Sequence, residues 1–425
     1  MSVFSAIPST REPTRRVSIE IEGHDTFDEF VAVEITRDLK DFAGNFQVTA
    51  RDAGRSMATF DFASPPPIFS VRPGPTARIS IDGELVMVAK IERVRPEIDE
   101  ERAEITFSGR DKGGNMVDCA AAPRGPGEFR NVKLEDAVRR IAEPFGIEVV
   151  CEIDTGRSFG RYPLELAETA LSAIEKGARQ RHALVMSDGT GKVILTRTGG
   201  RRAPAALTLP GNIKASSAEF SHENRYSETI VRGQGEKAGG KRADRNAAFG
   251  LGDDPVPPED RRPGTGEATE RERAGTAVEG TAIDEEIEDY RPIVFLAKTQ
   301  ADDISAADEA DFRMRQRRAE SEEPIVTVRD FRAGPENRLW RVNEIVSYSD
   351  AFQQIHRDML ISRTVMRYDE EIATEITLSS PEAFDPKPVG SRRTDMKEGA
   401  ARSRSAKSRK PKAPAKPLDT TANAL

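Results

Sequence analysis

Ile79-Ser80-Ile81-Asp82-Gly83-Glu84-Leu85-Val86-Met87-Val88-Ala89-Lys90-Ile91 decides how the first part of the chain folds. Apolar residues take every second place on both sides of Asp82-Gly83, so each arm can bury one face and wet the other. Asp-Gly between two such arms is a strong hairpin signal, because both turn residues accept positive φ. The alternation continues outward. Val17, Ile19 and Ile21 come first, then Val31, Val33 and Ile35, then Phe46, Val48 and Ala50; Ile105 and Phe107 follow the hairpin. Short strands, a Pro65-Pro66-Pro67 break and no long helical stripe predict a small β-barrel or sandwich over residues 1–122.

The stretch has an echo near the other end. Leu85–Ile91 leads through Arg95-Pro96-Glu97-Ile98-Asp99 to Glu104-Ile105-Thr106-Phe107-Ser108. Leu339-Trp340-Arg341-Val342-Asn343-Glu344-Ile345 leads through a longer excursion to Glu375-Ile376-Thr377-Leu378-Ser379. The shared order and the closing EIT[FL]S predict two copies of one barrel, against the competing reading of chance likeness between β-rich stretches.

Between the copies the period becomes helical. Leu134, Ala137, Val138, Ile141, Ala142 and Phe145 share one helical face, with Pro144 disturbing the last turn and Gly146 ending it. A strand over Ile147–Ile153 follows, then a helix from about Leu166 to Gln180 with Ala167, Ala170, Leu171, Ile174 and Ala178 inward. A hairpin across Asp188-Gly189-Thr190-Gly191 closes a compact α/β module, residues 123–200. Strands resume in 201–386. Within that span, residues 233–282 hold one aromatic, Phe249, and no period, which predicts a long mobile insertion. Asp302–Ala319 reads as a polar helix with Ile304, Ala307 and Phe312 inward.

At roughly 150 residues per domain, 425 residues argue for about three domains. The composition is 37% hydrophobic and 32% charged, enough to build cores with part of the chain unpacked. No run approaches the roughly 20 apolar residues that cross a bilayer, and the N-terminus lacks a signal-peptide pattern. Two cysteines, Cys119 and Cys151, and four scattered histidines argue against a disulfide framework and a metal cage. Charge is uneven. Residues 387–425 carry 11 Lys/Arg and 3 Asp/Glu, whereas the whole chain is −8, leaving −16 for residues 1–386. This predicts an acidic folded body and a disordered basic tail, a solubilising end or a docking arm. An acidic body argues against a sequence-reading DNA protein.

Catalytic signals are weak. Gly156-Arg157-Ser158-Phe159-Gly160 matches the G-x-S-x-G nucleophile elbow, with Ser158 as nucleophile and His182 or His222 as base. That chemistry needs serine on a strained strand-to-helix turn in a parallel sheet, which the flanking Asp154-Thr155 and Arg161-Tyr162-Pro163 do not provide. Gly189-Thr190-Gly191-Lys192 hints at a P-loop, but Met186 and Val193 stand where glycine and Ser/Thr are required, so it reads as a hairpin turn. The pairs Asp253-Asp254 and Asp302-Asp303 and the pair Arg139-Arg140 read as solvated faces; Cys119 reads as a small core side chain. The sequence therefore predicts no catalytic, cofactor-binding or metal site.

Three passages in order carry a resemblance. Ser108-Gly109-Arg110-Asp111 with Met116-Val117-Asp118-Cys119-Ala120-Ala121 is similar to a "GRS…DLVDCSA" passage. Leu339-Trp340…Asn343…Tyr348 is similar to an "LW…N…V.V" strand, and Leu378-Ser379-Ser380-Pro381-Glu382-Ala383-Phe384 to a closing "L.L..PEAF". Over residues 15–386 the chain resembles the baseplate hub proteins of Mu-like contractile-tail phages, the tail protein P or late control protein D-like family. Asp111 stands where that family often has serine. The resemblance implies a homotrimeric ring of paired barrels that joins a six-fold tail tube to a three-fold spike in the virion baseplate, assembled in the bacterial cytoplasm. It also implies tail-tube, central-spike and wedge partners, and a channel that DNA passes without specific binding. The nearest structural rival is the hub portion of a secretion or injection spike.

Overall fold

The computed structural model describes residues 17–24, 30–52, 56–64, 67–122, 124–234, 277–296, 303–369 and 371–384. The basic tail lies outside the described residues, as does 235–276 of the expected mobile insertion. The ends of that insertion are strand residues, because Gly233-Gln234 and Ala277–Ile283 pair with each other. The protein is mostly β with few helices.

The alternating N-terminal arms form β1 (Val17–Ile21), β2 (Ala32–Asp38), β3 (Asn45–Asp52), β4 (Thr76–Ile81), β5 (Glu84–Ile98) and β6 (Ala103–Asp111). They lie in the order β1-β4-β5-β6-β3-β2, each neighbour antiparallel. Asp82 (φ 50°) and Gly83 (φ 81°) make the expected two-residue turn of β4–β5. The apolar alternates, among them Ile19, Ile35, Phe46, Ile79, Met87, Ile91 and Phe107, are buried in one core.

The module follows: α1 (Gly114–Asp118), β7 (Glu128–Val132), α2 (Leu134–Ala142), β8 (Glu148–Cys151), β9 (Phe159–Pro163), α3 (Ala170–Gln180), β10 (Leu184–Ser187) and β11 (Lys192–Thr196). The predicted face of α2 is buried from Leu134 to Ala142, and Gly146 ends it in the left-handed region. The second helix starts later than expected. Thr169 caps it, its side chain accepting from the Ser172 N–H, while Leu166 is fully exposed and Ala167 has φ 64°.

The rest comprises β12 (Arg201–Arg202), β13 (Leu207–Leu209), β14 (Ile213–Phe220), β15 (Glu228–Gln234), β16 (Ala277–Ile283), β17 (Pro292–Leu296), α4 (Asp303–Glu320), β18 (Glu322–Arg329), β19 (Arg332–Ala333), β20 (Arg338–Leu339), β21 (Glu344–Asp350), β22 (Ile355–Tyr368) and β23 (Ile372–Ser379). β15–β17 form a separate small sheet under α4. The face of α4 buried on this sheet is Ala306 and Ala310, where Ile304, Ala307 and Phe312 were expected; the Ile304 side chain lies outside the described residues, and Ala307 and Phe312 are only half-buried. Small side chains win because α4 lies directly on the β16 backbone: a Cβ on Gly280 would sit 2.1 Å from the Ala307 nitrogen.

The two β regions repeat one topology. β4-β5-β6-β3-β2 corresponds, place for place, to β21-β22-β23-β18-β14, every pair antiparallel. The long strands β5 and β22 each carry a bulge where they part from β4 and β21, between Ile91 and Arg93 and between Ile361 and Arg363. The sequence echo located this repeat imperfectly. Leu339-Trp340 falls at β20 and its exit, whereas the counterpart of β5 is β22. Counted from the bulge, Ser108 matches Thr377 and not Ser379. A slip of two residues preserves the buried face, which is why the letters still agreed.

The expectation of two separate barrels requires a correction. β2 pairs β22 from Val33↔Tyr368 to Asp38↔Arg363, and this fuses both halves into one 13-stranded sheet. Among the described residues no pairing closes either half. In the first half β1 ends against β4 and the outer edge of β2 is taken by β22, so the two strands that closure needs do not meet; in the second half β12 and β13 cover the outer edge of β21, and β14 ends the sheet without pairing them.

Candidate functional site

Three polar junctions set how the halves and the module are held, and they are built largely from residues the motifs singled out. The first centres on Asp111, at the end of β6. Its Oδ2 accepts from the Gly44 N–H (3.0 Å) and the Ser187 hydroxyl (2.7 Å), and its Oδ1 from the Gly113 N–H (2.8 Å). Arg37 of β2, half-buried, donates to the Ser187 carbonyl. Val88 N–H donates to the Gly189 carbonyl at 2.8 Å, seating the β10–β11 hairpin on β5. Burial pushes the Asp111 carboxyl up from its ordinary range, against the pull of Arg37 and the three donors; burial likewise lowers Arg37. Asp at this position therefore acts as a three-donor acceptor, a capacity serine lacks.

Beside it, Gly109 faces the β5 bulge so closely that a Cβ would lie 1.8 Å from the Lys90 carbonyl oxygen. Arg110 spans Glu92 (3.0 Å) and Asp118 (2.5 Å) and so ties β6 to α1. Each residue of Gly109-Arg110-Asp111 thus has a separate mechanical task.

The second junction uses Asn343 (φ 64°). Its amide oxygen accepts from the Gly199 N–H (2.8 Å) and its amide nitrogen donates to the Arg197 carbonyl (3.0 Å), joining the end of β11 to β21. Trp340, three residues earlier, is buried in the core of the second half. In the third, Arg332 donates to Asp82 (2.9 Å), Glu84 (2.8 Å) and the Ile81 carbonyl (3.2 Å), while Arg341 reaches Glu84 at 2.6 Å. The β4–β5 turn is thereby pinned to the second half.

A fourth polar cluster stiffens the β21–β22 turn. The Asp350 carboxylate accepts from the Ser216 and Tyr348 hydroxyls and from the Phe352 (2.8 Å) and Gln353 (3.0 Å) N–H groups. Burial opposes ionisation here, but these donors outweigh it and hold Asp350 below the ordinary carboxylate range.

None of the weak catalytic signals assembles a site. Ser158 lies in exposed coil that runs into the strand β9, not into a helix. His182 sits at the end of α3 (φ 53°), and His222 lies against Arg225. In Gly189-Thr190-Gly191-Lys192, the Asp188 Oδ1 accepts from the Thr190, Gly191 and Lys192 N–H groups, so the chain's own carboxylate fills the place a phosphate would take. Cys119 is exposed where a core position was expected, because α1 ends at it and the chain turns extended; Met116 and Ala121 are the buried residues of that passage. Arg139 and Arg140 are exposed, and Asp253, Asp254 and Asp302 lie outside the described residues. Among the described residues no group of three His, Cys, Asp or Glu side chains could hold a metal ion, and no helix is long and apolar enough to cross a membrane.

Three family models match in series and together span more than half of the chain. Residues 16–111 match the N-terminal domain of the Mu phage baseplate assembly protein GpP-like family, 113–197 the second domain of baseplate hub protein gp44-like proteins, and 304–387 the fourth domain of GpP. The chain belongs to the Mu phage baseplate hub family of gp44/GpP-like tail proteins. Within this hub family, the baseplate hub protein gp44 of Escherichia phage Mu is 24% identical over 392 residues, covering 90% of this chain and 92% of that protein. The fold is shared with the 43 kDa tail protein of prophage MuSo2 from Shewanella oneidensis (TM-score 0.70, 24% identity, 87% of this chain and 99% of that one). A tail protein from Neisseria meningitidis MC58 shares it too (TM-score 0.65, 18% identity, 87% and 98%). Two of the three hub motifs quoted from the sequence fall at junctions, around Asp111 and Asn343, where halves and module meet.

Proposed function

We propose that this hub protein assembles as a three-chain ring in the tail baseplate, each chain supplying two equivalent β units, so that three molecules present six. Such a ring matches a six-fold tail tube on one side and a three-fold spike on the other, with contacts to wedge proteins at its periphery. The observation that carries this reading is the repeat of one five-strand order, bulge included, in both halves. In this reading residues 1–122, 123–200 and 201–386 are the working domains, and each first and third domain forms one sixth of the ring. The role is structural, and it uses rigid junctions in place of a catalytic constellation.

The ring leaves an axial passage for DNA. With −16 on residues 1–386 of each chain, an acidic passage wall repels phosphates and lets nucleic acid slide without sticking. A neutral or basic wall in an assembled ring would remove this part of the proposal. The ring itself is tested by the mass in solution at micromolar concentration. Three copies are expected, and a strict monomer would overturn it.

A further inference from the structure

The repeat makes a prediction about the surface that joins one chain to the next. Within the chain, two contacts join the first half to the second through matching elements: β2 pairs the later part of β22, and the β4–β5 turn rests on the connector between β18 and β21, where Arg332 and Arg341 lie. Each of these four elements has a counterpart in the other half. Transferring through the shared strand order, β2 becomes β14, and Arg363–Tyr368 of β22 becomes Arg93–Ile98 of β5. The β4–β5 turn becomes the β21–β22 turn, and the β18–β21 connector becomes the β3–β4 connector.

Among the described residues the counterparts have no partner strand. There β14 pairs only with β18, leaving its other edge open, and it terminates the sheet. β5 pairs β4 through Lys90 and bonds Gly74 and Pro75 through Ile91, and among the described residues no strand pairs Arg93–Ile98 on the side away from β6. Burial agrees. Thr364, Val365 and Met366 of β22 are buried, whereas their equivalents Val94, Arg95 and Pro96 are half-buried or exposed. A long bare strand edge is a template for another chain.

The apolar surface agrees as well. Phe352 tips the β21–β22 turn and is 84% exposed, yet its backbone is held rigidly by the Asp350 cluster. The β3–β4 connector carries Phe62, 68% exposed and 5.1 Å from Phe60, with Met57 also exposed. An exposed aromatic on a stiff turn and an exposed aromatic cluster thus stand on the counterparts of two elements that touch each other within the chain.

We propose that β14 of one copy of this chain pairs antiparallel with Val94–Ile98 of a second copy, while Phe352 of the first seats on the Phe60/Phe62 cluster of the second. The register follows from that of β2 with β22. It sets Ser216 opposite Ile98, Ser217 opposite Glu97, Glu219 opposite Arg95 and Phe220 opposite Val94. The last two pairs join opposite charges and cover Phe220, which is 60% exposed in the single chain. Pro96, opposite Ala218, removes at most one hydrogen bond from the pairing.

This inference rests on the ring reading, and disulfide trapping separates the two. In a chain whose Cys119 and Cys151 are changed to serine, Ser217→Cys together with Glu97→Cys is oxidised and run without reductant. The expected result is a ladder ending at covalent trimer, with no ladder from either single variant. Both positions are exposed, so folding is not at risk. A trimer by mass that yields no such ladder overturns the proposed edge and leaves the ring reading standing; a strict monomer overturns both. Independently, Phe352→Asp should raise the dissociation constant at least about tenfold with the melting of the single chain unchanged. An unaltered constant would remove Phe352 from the interface.

Discussion

The two β halves share a strand order, a bulge and a face pattern, and differ in what surrounds those common parts. In the first half β4 is flanked by β1, antiparallel; in the second, β21 is flanked by β12 and β13, both parallel. The turn after the first is pinned by Arg332, whereas the turn after the second is stiffened internally by Asp350 and presents Phe352 to solvent. The bulge is opposed by Gly109 in one half and by Leu378 in the other. The lesson is that topology is the repeated quantity, while contacts at the margins are particular to each half. That is what a protein requires if equivalent units must have one neighbour in the same chain and another elsewhere.

Removing the largest core side chain of either half tests the comparison most severely. Trp340→Ala and Phe107→Ala should each cost about 3–5 kcal/mol. Because β2–β22 joins the halves, calorimetry should show one transition displaced in both variants. A second, undisplaced transition would mean that the halves unfold independently.

Next comes Asp111→Ala. It strands the Gly44 and Gly113 N–H groups and the Ser187 hydroxyl and removes counter-charge from Arg37, at a cost of about 3 kcal/mol by urea unfolding. Gly109→Ala should cost about 1–3 kcal/mol, since the Lys90 carbonyl must move to admit a methyl group. No such clash exists opposite the second bulge, where leucine is already accommodated.

The two buried acids sharpen the comparison through pH. Asp350 has a depressed pKa in the fold, so its contribution is present above the unfolded carboxylate range, near pH 4, and is lost as pH falls through the folded value. Asp111 has a raised pKa, so protonation favours the fold, and stability from this group increases as pH falls through its folded value. Acidification should therefore narrow the stability gap between the native protein and Asp350→Asn, and shift the gap to Asp111→Asn in the native protein's favour. Gaps moving in the same direction would contradict the two environments. Smallest of all, Arg332→Leu should loosen the β4–β5 turn by about 1 kcal/mol, seen as faster amide exchange at Asp82–Leu85, with β21–β22 unaffected.

Much of this was legible in the letters. Alternation placed β1–β6, Asp82-Gly83 placed a hairpin, and the helical stripe of Leu134–Ala142 placed α2, since each is a local pattern backed by burial of one face. The later start of α3 was not, because it depends on Thr169 capping a helix that Ala167 cannot enter. The alanine stripe of α4 was also hidden, for it reflects close approach to Gly280, which is distant in sequence. Asp111 drew notice only as a departure from a family pattern; its role as acceptor for three donors needed Gly44 and Ser187 brought beside it.

Period and turn chemistry thus specified the strands β1–β6 and the face each buries, and pointed to an arrangement that occurs twice. These are short-range properties, decided by whether a side chain meets core or water. Whether each set of strands closes on itself or joins its neighbour was decided only in three dimensions. Closure depends on which edge wins a partner, and, proline aside, an edge offers the same backbone donors and acceptors whatever residues it carries.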